Sequence, residues 1–112
     1  MEQTADLLKE MELNFAKLRK DLPNQMAGWY SLRDAVRASG ALDVKTKELI
    51  ALAISVTAHC DWCVAAHTKY ALGNGATKEE VMEASWVAVQ MGGGPSLAYL
   101  QVVQKALADL ST

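Results

Sequence analysis

The sequence predicts an all-α fold, a single domain of about six helices with an antiparallel helical core. Three observations carry that expectation. Apolar residues recur at spacings of three and four along most of the chain, as on one face of a helix. Residues with strong β bias are scattered and never alternate over a sustained run. The breakers are few and grouped: proline occurs only at Pro23 and Pro95, and most glycines gather in "GNG" and "GGGP". The 112 residues fit one domain, spanning 1–112.

The first helix is expected from about Thr4 to Asp21, with Leu8, Met11, Phe15, Leu18 and Leu22 as an apolar stripe that faces the core or a partner chain. Pro23 breaks it. A second helix runs from about Asn24 to Ala38 and stops at Gly40, read as its C-cap. Trp29, Tyr30, Leu32 and Val36 are its packing residues. Asp43 caps the third helix. Its stretch from Leu49 to Val56 is apolar on nearly all sides, which suits a helix at the centre of a domain or oligomer. "GNG" at Gly73 to Gly75 ends the cysteine-bearing helix, and "TKEE" at Thr77 to Glu80 is a capping box that opens the next, to about Met91. Pro95 sits in the first turn of the last helix, whose stripe is Leu100, Val103, Leu107 and Leu110. With no preceding strand and no phosphate-binding pattern, Gly92 to Gly94 reads as a plain loop.

Composition excludes several functions. Hydrophobic residues make up 51% and charged residues 21%, the net charge is −2 and the pI about 5.6. There is no basic footprint for nucleic acid, and the cations near Lys17 to Lys20 read as a solvated helix face. No apolar run reaches the length of a membrane span. The N-terminal "MEQTADLLKEMEL" is acidic and lacks the marks of a secretory signal, so a cytoplasmic location is expected. In that compartment a close cysteine pair is catalytic or metal-binding more often than structural.

The chemistry concentrates in "SVTAHCDWCVAAHTKY", residues 55–70, which holds both cysteines and both histidines. On a helix, Cys60 and Cys63 lie on one face about one turn apart, within disulfide range. His67 is one turn beyond Cys63 on the same face, placed to take or return a thiol proton. Asp61 is a contrary feature, because a carboxylate beside the pair disfavours the thiolate unless it points to solvent or caps the helix. Read from the residues alone, three possibilities stand. The pair is redox-active, or His59, Cys60, Cys63 and His67 bind zinc, or the cysteines are apolar core. Zinc is hampered by the awkward chelation of adjacent His59 and Cys60, and a thioredoxin-type site by the lack of a βαβ pattern.

Glu48 is the last charged residue before the apolar run. Buried there it would need a partner, and a histidine would suit; exposed, it is an ordinary first-turn acid. One unbroken helix would put Glu48 and His67 about 28 Å apart. Their pairing therefore demands a chain reversal within "SVTAHCD". Val56 and Thr57 are poor helix formers there, and Thr57 or Ser55 is available as a cap.

The stretch "KTKELIALAISVTAHCDWCVAAHTKYALGNGATKEEVMEA" resembles the core of the carboxymuconolactone decarboxylase-like superfamily, in its alkylhydroperoxidase D-like branch. The carrying pattern is Glu48, then C-x-x-C at Cys60 and Cys63, then His67 after three residues, followed by a helix with an Ala, Gly and acidic start. It covers residues 42–91. The resemblance implies two helices packed antiparallel around the site, homo-oligomers (trimers or hexamers), and thiol-dependent reduction of an organic hydroperoxide or small disulfide. Cys63 would attack the peroxide, Cys60 would close the disulfide, and His67 and Glu48 would relay the proton. An external dithiol would restore the pair, with no cofactor and no metal. The sequence departs from the family where Trp62 stands in place of a second histidine, while His59 precedes Cys60. It also carries one motif unit, without the second, degenerate repeat of longer members. The decarboxylase branch generally lacks the cysteine pair, which argues against lactone decarboxylation here.

Overall fold

A computed structural model describes residues 3–110; residues 1, 2, 111 and 112 of the expected domain lie outside it. The described residues form six helices and no strand: α1 (Thr4–Asp21), α2 (Pro23–Arg37), α3 (Val44–Thr57), α4 (Asp61–Gly73), α5 (Lys78–Gly92) and α6 (Gly94–Leu110). The expected all-α single domain is therefore observed.

Local chemistry accounts for most boundaries. Pro23 is the first residue of α2, where its missing N–H is no loss. Asp43 caps α3 by accepting the Thr46 N–H at 2.8 Å. Thr77 and Glu80 form the reciprocal capping box of α5. Gly75 (φ 92°) takes the left-handed position after α4, and the N–H groups of Gly75 and Ala76 bond back to Leu72 and Ala71. One boundary differs from expectation: α2 ends at Arg37 with Ala38 as cap, not at Gly40. Lys47 of α3 supplies the reason. Its ammonium donates to the Val36 and Ala38 carbonyls (2.8 and 2.5 Å), satisfying the end of α2 from outside.

The core is built by α3 to α6. Leu52 and Val56 of α3 meet Val64 and Ala71 of α4, Val81 and Ala88 of α5, and Leu100, Val103 and Leu107 of α6. The predicted stripe of α6 is thus the buried one, with Leu110 half-buried. Three apolar faces are only partly covered by this chain. In α1 only Leu8, Met11 and Phe15 of the stripe are half-buried; Leu18 and Leu22 are exposed. In α2 no residue is buried, and Trp29, Leu32 and Val36 stand 54%, 57% and 62% exposed; Tyr30 alone of the four is half-buried. In α3 the apolar girdle is only half covered, since Ile50 and Ile54 face outward. Periodicity identifies an apolar face but not what covers it, and here the fold of one chain leaves these faces open.

The N-terminus of α1 is held by the far end of the chain. Gln3 contributes no side-chain cap, and the Thr4 N–H instead donates to Asp109 Oδ2 at 2.9 Å.

Candidate functional site

The required chain reversal is present. α3 stops at Thr57, and residues Ala58 to Cys60 turn the chain so that α4 returns alongside α3. His59 adopts φ 55°, the left-handed region. The His59 and Cys60 N–H groups bond back to the Val56 and Ser55 carbonyls, both at 3.2 Å, which completes a helix stop of the kind usually made by glycine. Histidine is among the few residues enriched in that conformation.

Neither Thr57 nor Ser55 caps the new helix. Their hydroxyls bond within α3, to Ile54 and Ala51. The cap is Cys60 itself, whose Sγ accepts the Cys63 N–H at 3.2 Å. Cys60 and Cys63 are joined as a disulfide with Cα atoms 5.2 Å apart, and both are half-buried. In the reduced protein this helix N-terminus favours a thiolate, because its free N–H groups and dipole attract negative charge.

Glu48 is only 3% exposed. Its Oε2 lies 2.7 Å from His67 Nδ1, so the hairpin of α3 and α4 brings together two residues nineteen apart. Because a carboxylate accepts, Nδ1 is the donor, and in the neutral imidazole Nε2 is then the nitrogen free to accept a proton. His67 is also one turn beyond Cys63 on α4. Oε1 of Glu48 accepts from Arg37 Nε at 2.6 Å. Both carboxylate oxygens are therefore engaged by donors, as a buried carboxylate requires.

Arg37 was not singled out by the sequence. It ends α2, and nothing in its spacing announces a partner eleven residues on across an irregular loop. Its guanidinium also lies over the Tyr70 ring, 5.4 Å from the centroid, and Tyr70 meets the His67 ring edge-on at 6.0 Å. The four side chains border a groove of about 370 Å³ whose outer wall is Trp29, Leu32 and Val36. The exposed apolar side chains of α2 thus wall an approach to Glu48 and His67.

Asp61 neither caps α4 nor stands free. It begins the helix, and its carboxylate is hydrogen bonded to the Tyr99 hydroxyl of α6. That bond, and secondarily burial, push the Tyr99 phenol above its ordinary 10.0. The same hydroxyl lies 2.9 Å from the His59 carbonyl, and the His59 ring stacks on Tyr99. The zinc set is consequently not assembled: His59 is turned to α6, and no three His, Cys, Asp or Glu side chains form a metal-binding group among the described residues. Among those residues, no helix is long and apolar enough to cross a membrane.

The comparisons with known proteins match the fold and the family. Over its full length the chain superposes on all of the apo structure of a carboxymuconolactone decarboxylase family protein from Legionella pneumophila, with a TM-score of 0.95 and 39% identity. A family protein from Thermotoga maritima matches with a TM-score of 0.83 and 30% identity, over 95% of this chain and 90% of that one. "Uncharacterized protein 4 in cox locus" of Paracoccus denitrificans is 46% identical over 80 residues, 71% of this chain and 69% of that protein. The model of the carboxymuconolactone decarboxylase family matches residues 23–105, from the first residue of α2 into α6. That span contains the hairpin, the cysteine pair, Glu48 and His67, and the chain belongs to the carboxymuconolactone decarboxylase family.

Proposed function

We propose that the protein is a thiol-dependent hydroperoxide reductase of the alkylhydroperoxidase D-like type. The observation that supports this most is the Glu48–His67 pair, set one helical turn from a disulfide-forming C-x-x-C at the start of α4. In the reduced protein, His67 Nε2 takes the proton of Cys63. The Cys63 thiolate attacks the O–O bond of an organic hydroperoxide, and the alcohol leaves with a proton returned by His67. Cys63 is then a sulfenic acid. The Cys60 thiol displaces its oxygen as water, forming the disulfide. An external dithiol reduces that disulfide by exchange and is itself oxidised, so the cycle closes with two electrons from the dithiol to the peroxide. No cofactor or metal takes part in these steps. Glu48 keeps the His67 tautomer fixed and stabilises the imidazolium during transfer, and Arg37 holds Glu48.

One further observation favours this reading. The Thermotoga relative, 30% identical, is one for which a part in an antioxidative response has been suggested. The cytoplasm, with its dithiol reductants, is the compartment such a cycle needs. The outward Trp29, Leu32, Val36, Ile50 and Ile54 are more apolar surface than a lone chain of this size keeps exposed, which favours a homo-oligomer, a trimer or hexamer.

The test is titration of thiols in the reduced protein. One equivalent of organic hydroperoxide is expected to consume both thiols in the wild type and to leave the single Cys60 thiol of Cys63→Ser largely unoxidised. Two free thiols after peroxide would refute the activity.

A further inference from the structure

A carboxylate next to Cys60 works against thiolate formation, yet Asp61 occupies that place. The structure gives this carboxylate a partner from α6. The Tyr99 hydroxyl bonds to Asp61 and approaches the His59 carbonyl, while its ring stacks on the His59 imidazole with centroids 4.9 Å apart and planes at 22°. One side chain therefore holds both neighbours of Cys60. It also braces a turn whose histidine sits at positive φ, a conformation that persists only when its surroundings fix it.

Tyr99 is itself placed by tight packing one turn earlier. A Cβ at Gly92 would fall 3.0 Å from Ser96 Cβ and 3.4 Å from Thr57 Cγ2. Having none, Gly92 lets the first turn of α6 close onto the end of α3, with Ser96 buried between them.

We propose that Tyr99 is a positioning residue for the cysteine pair: it fixes the turn that presents Cys60 and keeps the Asp61 carboxylate committed to the phenol instead of to the thiols. This role requires that the reduced pair be reactive, as in the function proposed above, but not that a hydroperoxide be its oxidant. Tyr99 stays protonated, and so a donor, throughout the range in which thiols titrate. The titratable side chains at the turn are His59 within it, Asp61 at the start of α4 and Tyr99 of α6, and the Glu48–His67 pair lies further along α3 and α4. Glu48 and His67 bind each other and are left unaltered below.

The experiment follows the pH dependence of iodoacetamide alkylation in the reduced full chain, for wild type, Tyr99→Phe, Asp61→Asn and the double variant. Tyr99→Phe keeps the ring on His59 and removes only the hydroxyl. It is expected to slow alkylation about threefold to tenfold at neutral pH, with the midpoint raised by about half to one pH unit. The double variant should return to the wild-type midpoint, because the released charge is gone. Asp61→Asn alone should stay within about 0.3 pH unit of wild type, the charge being already committed. An unshifted midpoint in folded Tyr99→Phe, or no recovery in the double variant, overturns the proposal. If Tyr99→Phe does not fold, Asp61→Asn still decides: a midpoint lowered by about one unit or more shows that the carboxylate already acts on the thiols. Alkylation needs no peroxide, so loss of the peroxidase reading would leave this result standing, and the reverse.

Discussion

Arg37 Nε and Glu48 Oε1 lie 2.6 Å apart, and this contact ties the end of α2 to the acid beside His67. Arg37 is about one-third exposed and Glu48 almost wholly buried, so the arginine is the solvent-facing member of the pair. Removing the arginine leaves a buried carboxylate with one partner. Arg37→Ala is expected to destabilise the fold by about 1–2 kcal/mol and to slow peroxide-dependent thiol oxidation. Urea unfolding and stopped-flow tryptophan fluorescence measure the two effects; an unchanged rate would remove Arg37 from the relay.

Glu48→Gln separates charge from shape. The amide still fills the space but cannot stabilise an imidazolium at His67. Thiol oxidation by hydroperoxide should fall about tenfold to a hundredfold, with a smaller loss of stability. If the rate is within twofold of wild type while the protein stays folded, Glu48 is a structural anchor only.

The two cysteines should differ in chemistry. In Cys60→Ser, one equivalent of hydroperoxide should leave a sulfenic acid on Cys63, trapped by dimedone and seen by mass spectrometry. Cys63→Ser should give little adduct. The opposite pattern would exchange the two roles, a result the capping of α4 by Cys60 makes worth testing.

Gly92→Ala probes the packing behind Tyr99. The added Cβ would press on Ser96 and Thr57, and α5 and α6 must part slightly to admit it. A loss of about 1–3 kcal/mol is expected in denaturant unfolding. Stability equal to wild type would mean that the junction is looser than its geometry.

Acid should loosen the junction between the chain's two end helices. Asp109 is held below its ordinary value of 3.8, chiefly because its carboxylate accepts the Thr4 N–H. A depressed folded pKa gives stability that is present above the unfolded value and is lost as pH falls through the folded one. Asp109→Asn should therefore be less stable than wild type near neutral pH, with the difference vanishing in strong acid. Urea midpoints across that range check it, and a constant difference at all pH values would contradict the linkage.

The sequence was informative about the site to the extent that the site is local. Cys60, Cys63 and His67 are related by one helix, so spacing placed them on one face. Glu48 is legible as a charge at the edge of an apolar run, and it can pair with His67 only on the condition of a reversal in "SVTAHCD". The condition was met by His59, which the sequence did not mark as a turn residue because histidine rarely replaces glycine there. Arg37 and Tyr99 were not legible. Each reaches the site across loops whose path depends on packing, and no local signal encodes that path.

By itself the sequence determined the helices, their caps at Asp43 and Thr77, and the one-turn spacing of Cys60, Cys63 and His67. These follow from interactions within a few residues, which the chain carries wherever it goes. Only the tertiary structure decided that Glu48 would be buried between Arg37 and His67, that the Tyr99 hydroxyl would donate to Asp61, and that Asp109 would cap α1. It also decided which apolar faces of α2 and α3 stay open. Burial and long-range pairing depend on which helices pack together, and periodicity gives each helix a face without naming its neighbour.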